Sequence, residues 1–191
     1  MKLATFKHSC KKAYSKGFTA IELVVVLVVI GVIVAIAVRS LGLTDDAKAL
    51  SAAEEAKYAI AKIQSCHASS PSFVGLDAEI ALGRCGAFKD RVTGAGATLS
   101  VTNSFGGVRT FAPVSLAGGS NNGFAMGDPQ IPYGVCQKYI DTVWKMSNRI
   151  DVGTTNVKAT MDQVVSPNAV YTACGTSGAV TVTVTGANGN Y

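Results

Sequence analysis

The chain has 191 residues and a formal net charge of +5, from 17 basic and 12 acidic side chains. The whole excess lies in residues 1–17, which carry five lysines and no acidic side chain. The rest of the chain is balanced, with equal numbers of basic and acidic residues. The basic character therefore belongs to one short N-terminal segment, and it gives no support for a nucleic-acid partner.

A continuous apolar run follows this segment. Residues 18–38 include a single charged side chain, Glu22. As an α-helix the run would be about 32 Å long, which matches the roughly 30 Å hydrocarbon core of a bilayer. Lysines beside such a helix favour the cytoplasmic side for the N-terminus. We therefore expect a single membrane-spanning helix that is surrounded by lipid.

Glu22 is the exceptional residue of this run. An ionisable side chain within a membrane segment is costly unless it has a partner, so it indicates a function. A cut between Gly17 and Phe18 would create an α-amino group at the same end of the helix. That cation could meet the carboxylate of Glu22 in its own chain or in a staggered second copy. The alternative interpretation is that Glu22 extends its carboxylate to the membrane surface.

A secretory signal peptide is an alternative for the whole N-terminal part. The lysines, the apolar run and the small residues of Ala35-Ile36-Ala37 are compatible with such a signal, which would leave a product starting at Val38. The apolar run is longer than the usual stretch of about 7–15 residues, however. The signal-peptide interpretation also gives Glu22 no role.

Residues 39–65 are rich in strong helix formers and are predicted to form an amphipathic helix. No proline interrupts the chain from Phe18 to Gln64, so we expect one long helix with a membrane-embedded half and an amphipathic half. The amphipathic half should pack on a globular domain. Its predicted apolar face consists of Leu43, Ala47, Leu50, Ala53, Ile60 and Ile63.

Residues 66–191 have the composition of an exported α+β domain, with many Gly, Ser, Thr and Asn residues and short valine-rich runs. We expect an antiparallel β-sheet head against which the long helix packs. The predicted elements are short helices over 76–82 and 133–149, and strands over 98–102, 108–114, 150–152, 157–161, 169–174 and 180–184. Residues 103–107 and 117–130 are predicted to be surface loops.

Four cysteines lie in this head, and a fifth, Cys10, lies in the N-terminal segment. An even number in an exported domain indicates two disulfides, for which the sequence allows three pairings. We propose the nearest-neighbour pairs Cys66–Cys85 and Cys136–Cys174, because each loop then encloses one compact unit. A zinc site that combines Cys66, His67 and Cys85 is the alternative, but adjacent ligands do not fit the usual separated spacing.

No motif for catalysis can be identified. The chain has two histidines, His8 and His67, and it lacks a nucleophile elbow, a phosphate-binding loop, a metal motif and a catalytic carboxylate pair. We therefore expect a protein that is not an enzyme and that has no cofactor and no metal.

The segment Lys16-Gly17-Phe18-Thr19-Ala20-Ile21-Glu22-Leu23 resembles the processing site of type IV pilins and the related pseudopilins. The resemblance implies that a prepilin peptidase cuts between Gly17 and Phe18 and methylates the new N-terminus. It also implies that Glu22 guides docking into a helical filament. Residues 1–17 would then be a cytoplasmic leader that is cleaved, and residues 18–38 would serve both membrane insertion and assembly.

The resemblance further implies a function. The chain would be the major subunit of a type IV pilus, with a size and cysteine layout similar to the type IVb class. It would wait in the inner membrane as a single-pass precursor, interact there with the assembly machinery, and then form an extracellular homo-oligomeric filament for attachment, conjugation or a related role. The alternatives are a type II secretion pseudopilin, a minor pilin, and a membrane-anchored periplasmic enzyme or binding module.

Overall fold

The structure is a computed structural model that describes residues 19–40, 43–70, 72–88 and 91–188. It divides into two compact units, Met1–Leu41 and Gly42–Tyr191. The predicted cleavage site between Gly17 and Phe18 lies outside the described residues. The helices are α1 (Ala20–Ser40), α2 (Leu43–Cys66), α3 (Tyr133–Val143) and α4 (Pro167–Cys174).

The first unit contributes helix α1, which is almost entirely aliphatic. Within the described part of the chain, no helix combines the length and the apolar character that crossing a membrane requires. Residues 41 and 42 lie between α1 and α2 and outside the described residues. The continuity of the two helices therefore stays a prediction.

Helix α2 packs into the head through small side chains. The fully buried residues of its inner face are Ala49, Ala52, Ala53, Ala56, Ala59, Ile60 and Ile63. The predicted face was therefore partly wrong, since Leu50 is 46% exposed and Ala47 is exposed. Small residues allow α2 to lie close to the sheet. One of them is Gly186 in the facing strand, where an added Cβ atom would lie 2.7 Å from the ring of Phe124 and 3.2 Å from Ile60 of α2.

The described residues of the head form a five-stranded antiparallel sheet and a two-stranded ribbon. The strands are β1 (Val92–Thr93), β2 (Ser100–Val101), β3 (Thr110–Val114), β4 (Gly123–Pro132), β5 (Arg149–Val152), β6 (Thr155–Lys158) and β7 (Ala179–Ala187). The order in the main sheet is β3-β4-β7-β5-β6. Helices α2 and α3 pack on each other and both contact β7. The α+β class with an antiparallel sheet agrees with the sequence analysis.

Strand β4 is the largest difference from the sequence analysis, which placed a surface loop over residues 117–130. Its sequence contains Gly123, Gly127, Asp128 and Pro129, and all three residue types are rare in strands. Tertiary pairing overrides this preference, because β4 is hydrogen-bonded between β3 and β7. Gly127 also fits closely against β3, since a Cβ atom there would lie 2.4 Å from the hydroxyl of Thr110.

The predicted hairpin over residues 98–114 is also only partly present. Residues Thr102 and Val108 form an isolated bridge, whereas β2 pairs with β1 and β3 pairs with β4. The prediction rested on a local sequence pattern, whereas in the structure β2 and β3 pair with other segments of the chain.

The segment over 169–174 was predicted to be a strand and is helix α4. Pro167 lies in its first turn, where the fixed backbone angle of proline suits a helix and its missing N–H is not needed. Helix α3 ends at Val143, earlier than predicted, and a 3₁₀ turn over Trp144–Met146 follows it. The short helix predicted over residues 76–82 is a π-helix over Glu79–Arg84.

An ionic network in the core joins α2 to the head. Arg109 is 2% exposed, and its guanidinium bonds to the carboxylate of Asp128 (Nε–Oδ2 3.2 Å), to Glu55 (3.0 Å) and to the carbonyl of Ala52 (3.1 Å). The guanidinium also lies 4.4 Å from the ring centroid of Phe88. A buried charge is tolerated only when it is paired and its donors are satisfied, and Arg109 meets both conditions.

Asp128 is the second centre of this network, at the start of the bulge in β4. Its carboxylate accepts hydrogen bonds from the hydroxyl of Tyr139 (2.8 Å), from the amide of Asn103 and from Arg109. The amide oxygen of Asn103 accepts in turn from the backbone of Gly107 at 2.9 Å. One carboxylate thus holds α3, β4 and the 103–107 loop in a single arrangement.

The network determines the ionisation of Tyr139. Burial raises the pKa of the Tyr139 phenol well above its ordinary value, and the negative charge of Asp128 raises it further. Because the pKa is raised in the folded state, the folded chain keeps a proton that the unfolded chain loses above about pH 10. The resulting stabilisation is complete below about pH 10 and is lost as the pH rises towards the folded-state pKa.

A spectrophotometric alkaline titration tests this. We expect the phenol of Tyr139 to stay protonated above about pH 10 and to ionise only when the head unfolds. Tyr139→Phe should remove this late rise in the absorbance of ionised tyrosine. A folded protein in which Tyr139 ionises near pH 10 would contradict the network.

A second buried cation lies at the C-terminal end of α3. Lys158 is fully buried, and its ammonium donates to the carbonyls of Trp144 (2.5 Å) and Ser147 (2.6 Å). The ammonium also lies 5.1 Å from the centroid of the Trp144 ring. Burial lowers the pKa of Lys158. A cation at this position suits the negative end of the helix and adds a donor to two carbonyls just beyond its last residue.

We expect Lys158→Met to destabilise the head by about 1–3 kcal/mol, because the carbonyls of Trp144 and Ser147 lose the ammonium as a donor. Urea denaturation followed by the fluorescence of the single tryptophan, Trp144, measures the change. Lys145→Met is the matched control, since Lys145 lies exposed in the adjacent 3₁₀ turn and should change stability by less than about 0.5 kcal/mol. Equal midpoints for the two variants would contradict the role of Lys158.

Candidate functional site

The first turn of α1 contains the residue that the sequence analysis singled out. The carboxylate of Glu22 accepts hydrogen bonds from the backbone N–H and from the hydroxyl of Thr19, both at 2.9 Å. The backbone N–H of Glu22 donates to the Thr19 hydroxyl at 3.4 Å. This reciprocal arrangement is a capping box, which satisfies backbone donors that the first turn of a helix leaves without partners.

Thr19 was not recognised in the sequence analysis as a functional residue. The signal was present, because a threonine followed three residues later by a glutamate, before an apolar run, is the pattern of a capping box. Within the single chain, Thr19 is therefore a hydrogen-bond partner of the Glu22 carboxylate. Its relation to Gly17 and Phe18 lies outside the described residues.

The described side chains of α1, up to residue 34, form a continuous aliphatic surface. Its described large side chains are exposed by between 45% at Val26 and 73% at Ile21. Isolated exposed apolar side chains are normal, but extended exposed apolar patches mark sites of interaction with membranes or other proteins. The capping box therefore lies at one end of a helix whose aliphatic side chains have little packing of their own.

The structure brings the four cysteines of the head together in two pairs. Cys66 and Cys85 have Cα atoms 5.3 Å apart and form one disulfide, and Cys136 and Cys174, 5.9 Å apart, form the other. The first links the end of α2 to the residue after the π-helix. The second links α3 to the end of α4. These are the pairs that the sequence analysis proposed.

The zinc alternative involves the same cysteines. One ligand atom from each of Cys66, His67 and Cys85 lies within 4.8 Å of the other two. Both sulfur atoms are bonded to each other, however, and a disulfide sulfur does not provide the thiolate that zinc requires.

Several shallow clefts lie on the surface of the head. One, of about 200 Å³, lies beside the second disulfide, between Tyr133 and Tyr171. Another, of about 310 Å³, lies on the outer face of the sheet and contains the ion pair of Arg149 and Asp151 (Nε–Oδ2 2.8 Å). The hydrogen bond to Asp151 raises the pKa of Arg149.

A third cleft lies along the exposed side of α3 and contains Asp141. Partial burial raises the pKa of the Asp141 carboxyl. The three clefts are small surface features, whereas the exposed aliphatic side chains of α1 form an extended apolar surface. The arrangement in the described part of the chain is suited to binding and assembly through surfaces.

Comparison with known proteins agrees with an arrangement that is suited to assembly. The family model described as PilS N terminal matches residues 47–187. A relative from Thermus thermophilus, named as the type IV narrow pilus major component PilA5, is 52% identical over 56 residues. The match covers 26% of this chain and 48% of that protein, so the chain spans about half the length of this relative.

Solved structures show the same fold. The crystal structure of the type IVb pilin from Salmonella typhi has a TM-score of 0.52 and 21% identity, and the match covers 71% of this chain and 98% of that one. The pilin TcpA of the Vibrio cholerae El Tor biotype has a TM-score of 0.50 and 12% identity, with coverages of 72% and 99%. The family match spans most of the described head, and the chain therefore belongs to the PilS N-terminal family and is a type IV pilin.

Proposed function

We propose that the chain is a structural subunit, and specifically the major pilin, of a type IV pilus of the type IVb class. The aliphatic surface of α1 carries this proposal, because identical copies of such a helix can bury it against each other in a filament. The fold of the head supports it, since the neighbours in fold are pilins. The relative from Thermus is named as a major pilus component, which supports the choice of a major subunit.

The precursor of the subunit would first be inserted into the inner membrane. Residues 18–38 would span the bilayer, with the lysine-rich residues 1–17 in the cytoplasm as a leader. A prepilin peptidase would cut between Gly17 and Phe18 and methylate the new amine. The assembly machinery of the inner membrane would then draw the subunit out of the lipid and into an extracellular pilus.

Glu22 would have a different partner at each stage of this process. In the single chain, its carboxylate accepts the two donors of Thr19. In the filament, it would pair with the α-amino group of Phe18 in a neighbouring copy, because that cation lies at the same end of the same kind of helix. An isolated charge among apolar helices is costly, so only a correctly staggered copy that provides the cation would be accepted.

Cohesion of the filament would come from the rest of α1. Side chains such as Leu23, Leu27 and Ile30 are each at least half exposed in the single chain. Packing them against other copies removes apolar surface from solvent, at about 0.8 kcal/mol for each methylene that was exposed to water. Glu22 would then set the register of the helices, while the aliphatic surface would supply the stability.

The first test of this function is the intact mass and N-terminal sequence of protein that is sheared from the cell surface. We expect a product that starts at Phe18, carries one additional methyl group and lacks the four hydrogens of two disulfides. A product that starts at Val38 would instead indicate an ordinary secreted protein. Processed protein found only in membranes would favour a pseudopilin, and scarce protein at the surface would favour a minor pilin.

A second test separates the charge of Glu22 from its capping role. Glu22→Ala removes both, whereas Glu22→Gln keeps an oxygen that can accept from Thr19 but has no charge. We expect both variants to be exported and cleaved normally, with the amount of sheared filament lowered by more than about tenfold, because the amine of the neighbouring copy loses its counter-charge.

Thr19→Val is the matched control for this experiment. It removes the hydroxyl donor but leaves the charge of Glu22 and the backbone N–H that donates to it. Filament yield should stay close to that of the unmodified chain. Normal filaments from Glu22→Gln would show that Glu22 acts only as a helix cap, and the docking role would be wrong.

A further inference from the structure

The two disulfides of the head have very different surroundings. Cys136 is fully buried and Cys174 is 3% exposed, and their disulfide is enclosed between α3 and α4. Cys66 is exposed at the last residue of α2, and Cys85 is half-buried. The first disulfide is therefore the more accessible of the two to a reagent in solution.

An imidazole lies directly beside the first disulfide. Nδ1 of His67 is 3.1 Å from the carbonyl oxygen of Ile63 and 3.9 Å from Sγ of Cys85. A carbonyl oxygen only accepts hydrogen bonds, so the contact with Ile63 requires Nδ1 to carry its proton. The same nitrogen lies beside Sγ of Cys85, so the N–H that Ile63 accepts can be shared with a thiolate at Cys85.

Two contacts hold His67 in this position, one with its ring and one with its backbone. Its ring packs on Phe73, with the ring centroids 4.9 Å apart. The backbone carbonyl of His67 accepts a hydrogen bond from the side chain of Asn188 at 2.8 Å. The donor that lies beside Cys85 is thus part of a fixed arrangement.

We propose that Cys66 is a site of thiol–disulfide exchange with low-molecular-weight thiols, in which Cys85 is the leaving group. The thiolate of the incoming thiol attacks Sγ of Cys66 and forms a new sulfur–sulfur bond there. The bond between Cys66 and Cys85 breaks, and its electron pair leaves with Cys85 as a thiolate. The N–H group of His67 stabilises this thiolate, and stabilisation of the leaving thiolate accelerates exchange.

The direction of attack follows from two independent observations. Accessibility selects Cys66 as the sulfur that is attacked, because it is the exposed member of the pair. The position of the N–H group of His67 selects Cys85 as the sulfur that leaves. Had the imidazole faced Cys66, the two requirements would have opposed each other.

The head would remain folded after this reaction. The segment between the two cysteines is anchored by buried side chains of its own, at Phe73, Ala81 and Leu82. The backbone N–H of Phe73 also donates to the carbonyl of Asn121 at 2.8 Å. Exchange would therefore modify the surface reversibly and leave a mixed disulfide on Cys66 and a free thiol at Cys85.

The test uses the full chain in detergent, treated with reduced glutathione without oxygen and then alkylated. Peptide mass mapping should find glutathione on Cys66 and the alkyl group on Cys85. The disulfide between Cys136 and Cys174 should remain intact in the same molecules, and it is the internal control. Glutathione on Cys85, or equal cleavage of the two disulfides, would overturn the proposal without any variant.

The variant His67→Phe tests the role of the imidazole. It keeps an aromatic ring against Phe73 but removes the N–H donor. We expect the rate of glutathione addition to fall by roughly three- to tenfold while the thermal unfolding of the oxidised protein changes little. An unchanged rate in a folded variant would overturn the assignment of His67, and with it the direction of the exchange.

Discussion

The buried pairing of Arg109 with Asp128 and Glu55 is the interaction on which the arrangement of the head depends. These three residues come from three parts of the chain, and Tyr139 and Asn103 add two more. An ion pair in the core contributes little net stability, because desolvation of the charges opposes their attraction. Its effect is on specificity, since any other packing of α2 on the sheet would leave a buried charge without a partner.

The alanine-rich face of α2 makes this pairing possible. Small side chains such as Ala52 and Ala56 let the helix lie close enough for Arg109 to reach both a carboxylate and a backbone carbonyl of α2. The opposite strategy operates in α1, where large aliphatic side chains are exposed. Helix α2 thus packs within its own chain, whereas the exposed side chains of α1 are available for contacts with other copies, as the proposed filament requires.

The disulfides follow a similar division. The pair of Cys136 and Cys174 is almost wholly buried and joins α3 to α4. The pair of Cys66 and Cys85 lies at the surface next to His67. Both close loops in the unfolded chain and so favour folding. The two disulfides differ in burial, and only the pair of Cys66 and Cys85 is exposed enough for the proposed thiol–disulfide exchange in the folded protein.

The sequence by itself determined the features that depend on local pattern: the aliphatic helix α1, the single acidic residue Glu22, the alternating strand β7, and the presence of four cysteines in the head. A capping box at Thr19 was also readable there. The tertiary structure decided the rest. Strand β4 forms from poor strand residues because two neighbouring strands pair with it, and the segment before Cys174 is a helix although it was predicted to be a strand. The hydrogen bonds of Arg109 join residues up to 57 positions apart in the chain, and no local pattern encodes a contact that exists only once the chain has folded.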